Sequence, residues 1–213
     1  MAAIFPPIDF EPNPGFESII SDLLVQDYSV VDHFFDEETV SLLRNSLRTH
    51  FEEDRFKKAA IGNRTNELIA VGIRGDYILW IDEQLHNTAT ALFFSKINSL
   101  VAYLNRTCFL GLLEKEFHYA LYPPGTGYKR HIDAFQNDDR RKLSIALYLN
   151  EEDWSDADGG ALALYVAGAD GEKTISIAPV AGRMVIFESQ KIPHEVLVAH
   201  RDRLSITGWL KTS

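Results

Sequence analysis

The feature that most constrains this chain is the pattern after Phe117. Seven short apolar runs, at residues 119–122, 143–149, 161–165, 174–177, 184–187, 195–198 and 204–210, are separated by Gly, Pro, Asp and Asn. Runs this short, rich in Val, Ile, Leu and Tyr and punctuated by turn formers, read as strands of a sandwich or barrel.

Upstream the period changes. Asp36-Glu37-Glu38 is an acidic helix opening, and Val40, Leu42, Leu43 and Leu47 follow at helical spacing. Residues 88–105 carry a second stripe of Leu92, Phe93, Ile97, Leu100, Val101 and Leu104. Tyr28-Ser29-Val30-Val31 reads as a strand, and residues 16–24 as a short amphipathic helix after a proline-rich start. The expected organisation is an N-terminal arm over residues 1–26 and one α+β domain over 27–213, its helices buttressing one sheet. A chain of 213 residues, 46% of them hydrophobic, has material for one sizeable core.

Composition removes several function classes. A net charge of −10 argues against an extended nucleic-acid interface, which needs clustered Lys and Arg. The run Arg140-Arg141-Lys142 follows Asp138-Asp139 and reads as a solvated turn before a strand. No apolar stretch approaches the roughly 20 residues of a membrane span, and the start lacks the order of a signal peptide. A soluble, cytoplasmic protein that binds neither nucleic acid nor membrane is expected. Cys108, the single cysteine, stands beside Phe109 and Leu110 and reads as a buried, inert thiol.

His131-Ile132-Asp133 puts an imidazole and a carboxylate on one face if the segment is a strand. His200-Arg201-Asp202 has the same spacing. A non-haem iron site takes two imidazoles and one carboxylate, so a later histidine decides between the copies. His194 follows the first copy, whereas no histidine follows Asp202. The competing reading of His194 is a histidine satisfied by a backbone carbonyl at a strand start. Arg203, at the head of the last strand, suits planar recognition of a dicarboxylate's far end; its alternative is a salt bridge to a protein carboxylate.

At these residues the chain resembles the prolyl hydroxylase branch of the Fe(II)/2-oxoglutarate oxygenases, closest to the hypoxia-sensing prolyl hydroxylases and their bacterial relatives. The likeness lies in Tyr122-Pro123-Pro124-Gly125-Thr126-Gly127-Tyr128 leading to His131 and Asp133. It continues in Tyr148-Leu149-Asn150 with Trp154 and Gly159-Gly160, in Pro193-His194-Glu195-Val196, and in Arg203 to Trp209. With residues 73–81 it runs from about residue 60 to 210. The glycine turn is one residue shorter than the family's, and the span from Asp133 to Tyr148 one longer.

The resemblance implies a double-stranded β-helix that binds Fe(II) through His131, Asp133 and His194. It implies 2-oxoglutarate and O2 as co-substrates, with ascorbate as a stimulant. Arg203 and Tyr148 would hold the far carboxylate of 2-oxoglutarate, and Tyr122 would lie near its chelating end. Tyr128, Arg74, Trp80, Arg141 and Trp209 would surround a substrate groove, with Asp76 pairing with Arg141. Residues 60–76 would form a lid. The implied partner is a protein presenting a proline, with elongation factor Tu the leading candidate among bacterial relatives, and the enzyme would act as a monomer. Rival readings are a hydroxylase of a small molecule or another side chain, a non-catalytic metal-binding module, and a metal-binding cupin.

Overall fold

The computed structural model describes residues 11–59, 73–84, 87–133, 140–168 and 171–213. In chain order its elements are α1 (Pro14–Gln26), β1 (Tyr28–Val31), α2 (Glu37–Glu52), β2 (Lys57–Lys58), β3 (Tyr77–Ile81), α3 (Thr88–Cys108), β4 (Glu114–Tyr122) and β5 (Tyr128–His131). There follow β6 (Arg141–Tyr148), β7 (Leu162–Gly168), β8 (Gly171–Ile177), β9 (Met184–Glu188), β10 (His194–Val196) and β11 (Arg203–Lys211). The expected lid lies outside the described residues except for its end, 73–76.

Helix starts follow local chemistry. The Asp36 side chain accepts from the Thr39 amide at 2.7 Å, and the Asn87 side chain from the Thr90 amide at 2.8 Å, each satisfying a donor that the first turn leaves bare. Asn13 does the same for α1, with Pro14 in the first turn. The stripes differ from expectation at Leu42 and Leu92, which are exposed. Each precedes a buried residue, Leu43 and Phe93, and one step round a helix is about 100°, enough to leave the buried face.

Strand β11 is central to a seven-stranded antiparallel sheet ordered β1-β9-β6-β11-β4-β3-β2. A second sheet runs β5-β10-β7-β8. Alternation along the large sheet separates two cores. Phe117, Tyr119 and Leu121 of β4, with Leu204, Ile206 and Leu210 of β11, pack with Leu43 and Leu47 of α2 and with Phe93, Ile97 and Leu100 of α3. Phe16 and Ile19 of α1 join that cluster. The intervening side chains face the smaller sheet, where Ala146, Tyr148, Val185 and Phe187 meet Leu162, Leu164 and Ile177. Removing one Leu side chain from such a layer costs about 2–5 kcal/mol. The helices therefore cover one face, and the other is left to form a pocket with the smaller sheet.

Cys108 is half-buried at the end of α3, in contrast to the buried thiol expected. The helix ends there, with Phe109 in the left-handed conformation, so the chain turns away before the thiol is enclosed. No helix among the described residues is long and apolar enough to cross a membrane.

Candidate active site

His131 ends β5 and His194 opens β10, and the two residues are register partners across the sheet. Gly127 permits this approach: a Cβ there would stand 2.5 Å from the Val196 carbonyl oxygen. Asp133 lies beyond the strand, correcting the expectation that it shares β5 with His131. Leaving the ladder frees its carboxylate to turn towards both rings, with Oδ1 3.5 Å from Nε2 of His131 and Oδ2 3.6 Å from Nε2 of His194. One donor atom from each residue lies within 4.8 Å of the others, a spacing that could hold one metal ion.

The ring nitrogens are oriented by backbone. Nδ1 of His131 is 2.8 Å from the Lys129 carbonyl and Nδ1 of His194 is 3.1 Å from that of Ile192. A carbonyl only accepts, so both Nδ1 atoms carry hydrogen and both Nε2 atoms present lone pairs to the shared point. The backbone-satisfied and ligand readings of His194 are thus compatible, one at each ring nitrogen. Burial pushes the His194 pKa down, keeping the ring neutral as metal binding needs. Burial opposes charge on Asp133, but His194 and His131, with the bond from Ser144, outweigh it and hold the carboxyl far below its ordinary range. His200 and Asp202 are exposed, and Nδ1 of His200 bonds the Ala157 carbonyl.

The triad opens on a cavity of about 590 Å³, lined by every side chain expected to hold the metal, the co-substrate or the substrate except Tyr148. Arg203 is buried at 2% exposure, and among the described residues no carboxylate pairs with it. Its Nε donates to the Gly160 carbonyl at 2.7 Å, which the positive φ of Gly160 turns towards it. The guanidinium lies over the rings of Tyr122 and Tyr148, its carbon 5.2 and 5.0 Å from their centroids. Among the described residues the buried Tyr148 hydroxyl has no partner, and burial raises the pKa of both phenols, so they stay neutral donors. A buried cation lacking a protein anion beside an unsatisfied hydroxyl fits the carboxylate of a small dicarboxylic acid.

Along the cavity wall, Arg74 grips Asp76 through two bonds of 2.6 and 2.9 Å and covers the Tyr128 ring at 4.8 Å. Tyr128 stacks in turn on His131 at 3.6 Å. Arg141 pairs with Glu116 at 2.8 Å and lies 3.6 Å over Trp209. The expected Asp76–Arg141 pair is therefore replaced by two others. Arg74 and Asp76 are only two residues apart, so the nearer cation takes the carboxylate. Trp80 is 51% exposed and leans on His118.

Residues 117–211 match the 2OG-Fe(II) oxygenase superfamily. A solved prolyl-4-hydroxylase from Pseudomonas putida is 38% identical, its alignment covering 93% of this chain and 99% of that one with a TM-score of 0.82. The chain belongs to the Fe(II)/2-oxoglutarate-dependent prolyl hydroxylase family. A Trichoplax adhaerens prolyl hydroxylase, solved with a hypoxia-inducible factor oxygen degradation domain peptide fragment, is 27% identical over 92% of this chain and 88% of that one, with a TM-score of 0.81. Human Egl nine homolog 1 is 30% identical over 187 residues, and the match spans 84% of this chain but only 42% of that protein. Fe(II), 2-oxoglutarate and O2 are what this oxygenase family requires.

Three side chains of this prolyl hydroxylase family member were given no site role from the sequence. Ser144 donates to Asp133 Oδ2 at 2.7 Å and meets the Ser189 hydroxyl at 2.8 Å, fixing the carboxylate from behind. Asn150 accepts from the Leu204 amide and donates to the Pro179 carbonyl, both at 2.7 Å, tying the end of β6 to the start of β11 beside Arg203. His118 lines the cavity, and its one available signal was strand alternation with Tyr122.

Proposed function

We propose that this chain is a dioxygenase that hydroxylates a prolyl residue of a protein substrate, using a double-stranded β-helix formed by its two sheets. The observation that carries this is Arg203, a buried cation without a carboxylate partner among the described residues, opening on the same cavity as the His131, Asp133 and His194 cluster. A metal-binding module without turnover has no need of that second feature. In this reading the three ligands hold Fe(II), Arg203 and Tyr148 hold the far carboxylate of 2-oxoglutarate, and Tyr122 donates near its other end. Tyr128, Arg74, Trp80, Arg141 and Trp209 form the substrate groove. A cytoplasmic monomer acting on elongation factor Tu is part of the same proposal.

Bound Fe(II) supplies C–H oxidation coupled to oxidative decarboxylation of 2-oxoglutarate. The protein's own task is positioning. Nδ1 bonds to backbone carbonyls keep both imidazoles aimed, and Ser144 keeps Asp133 turned inward. Arg203 fixes one end of the co-substrate, which sets the distance of its other end from the ligands. The aromatic wall excludes water from the reacting C–H bond.

Incubating cell proteins with enzyme, Fe(II), 2-oxoglutarate and O2 tests this reading. Mass spectrometry should find a gain of one oxygen at a proline, with succinate in equal amount. Succinate released only with small-molecule acceptors would replace the protein substrate with a metabolite.

A further inference from the structure

Two buried polar atoms on the cavity wall have no partner among the described residues: Nδ1 of His118 and Nε1 of Trp209. They sit on the neighbouring strands β4 and β11, at positions whose side chains turn to the cavity in step with Tyr122 and Arg203. Their ring centroids are 5.7 Å apart. The half-exposed Trp80 meets His118 edge-on at 5.0 Å, so an apolar surface borders the pair.

The indole N–H only donates. Burial, helped by the nearby guanidiniums of Arg74 and Arg141, pushes the His118 pKa down to about 3, so its ring is neutral and offers one donor and one acceptor. Arg141 stacks on Trp209 while its charge is met by Glu116. This wall is therefore aromatic and electrically balanced, yet short of hydrogen-bond partners. The Arg203 end of the cavity calls for an anion; this end does not. An alkyl group here would leave both atoms bare, and an anion would find its nearest cation already paired. An uncharged group carrying both a donor and an acceptor satisfies both atoms, and a trans peptide amide set between the two rings, its N–H and C=O pointing opposite ways, is such a group. Proline lacks an N–H, so beside a target proline only the amide that follows it presents both groups.

We propose that His118, with Trp209, hydrogen-bonds the amide following the target proline, making His118 a specificity-determining residue that selects a peptide over a free amino acid. The inference rests on the prolyl-peptide reading above and deepens it.

The test uses the full chain with Mn(II) in place of Fe(II), 2-oxoglutarate present and O2 removed. Binding is measured to an array of short peptides, each with one central proline, and the best binder is remade with an ester in place of the amide after proline. Wild type should bind the ester about tenfold more weakly, the loss expected for one hydrogen bond in a closed site. His118→Met should bind both probes equally, at about the weaker affinity, and His118→Asn should recover part of the difference. Equal binding of amide and ester by wild type overturns the inference without calling on any variant. An amide preference retained in His118→Met also overturns it. If no peptide in the array binds wild type, the prolyl-peptide reading falls and takes this inference with it.

Discussion

The guanidinium carbon of Arg203 stands 5.0 Å from the centroid of the Tyr148 ring, whose buried hydroxyl has no hydrogen-bond partner among the described residues. In the proposed function both groups hold the co-substrate, and they should respond differently to removal. Arg203→Ala should weaken 2-oxoglutarate binding by about 10- to 100-fold, the range of a charge-assisted hydrogen bond. Tyr148→Phe should weaken it less, and should leave the melting temperature of the ligand-free protein unchanged or raised, since it deletes an unsatisfied buried group. Calorimetric titration and thermal denaturation check these outcomes. Unchanged affinity in Arg203→Ala would return that residue to a structural role.

Replacing His131, Asp133 or His194 with alanine should abolish iron-dependent turnover of 2-oxoglutarate while far-ultraviolet circular dichroism stays native. Three ligands converge here, and losing one leaves too few to hold a divalent ion. His200→Ala should keep its iron, because that ring bonds a backbone carbonyl outside the cluster. Metal content by plasma emission separates the two classes.

Ser144→Ala removes the hydroxyl behind Asp133 without touching the donor set. Metal affinity should fall by about 10-fold or more, as for other groups that orient a ligand. Competition with a fluorescent chelator would show it, and an unchanged affinity would mean that His131 and His194 alone orient the carboxylate.

Asp76 is fully buried and its partner Arg74 is 12% exposed, so Asp76→Asn leaves a buried cation without its carboxylate. Loss of about 3–5 kcal/mol in unfolding free energy is expected. Burial works against charge on Arg74, and its bonds to the Asp76 carboxylate more than offset that in the intact protein, keeping the guanidinium charged. Denaturant titration measures the loss. A change below about 1 kcal/mol would mean that the pair behaves as an exposed one.

Much of this was legible without coordinates. Short apolar runs punctuated by turn formers marked the strands because strand preference and turn chemistry are largely set locally, residue by residue. Helix starts at Asp36 and Thr88 were readable for the same reason, since a cap acts within one turn. The order of His131, Asp133, His194 and Arg203 carried the candidate chemistry, because ligand type and number restrict which metals suit a site.

What the sequence determined by itself, then, was the strand-rich core and the residue types that do chemistry. Tertiary structure alone decided which groups meet. Asp133 leaves its strand to reach His194, Arg74 takes Asp76 and leaves Arg141 to Glu116, and His118 is closed in with a nitrogen unpaired among the described residues. Apart from Arg74–Asp76, these contacts depend on how strands far apart in the chain are registered and packed. Register follows from burying whole faces of a sheet at once, a cooperative quantity that no single residue or local pattern encodes.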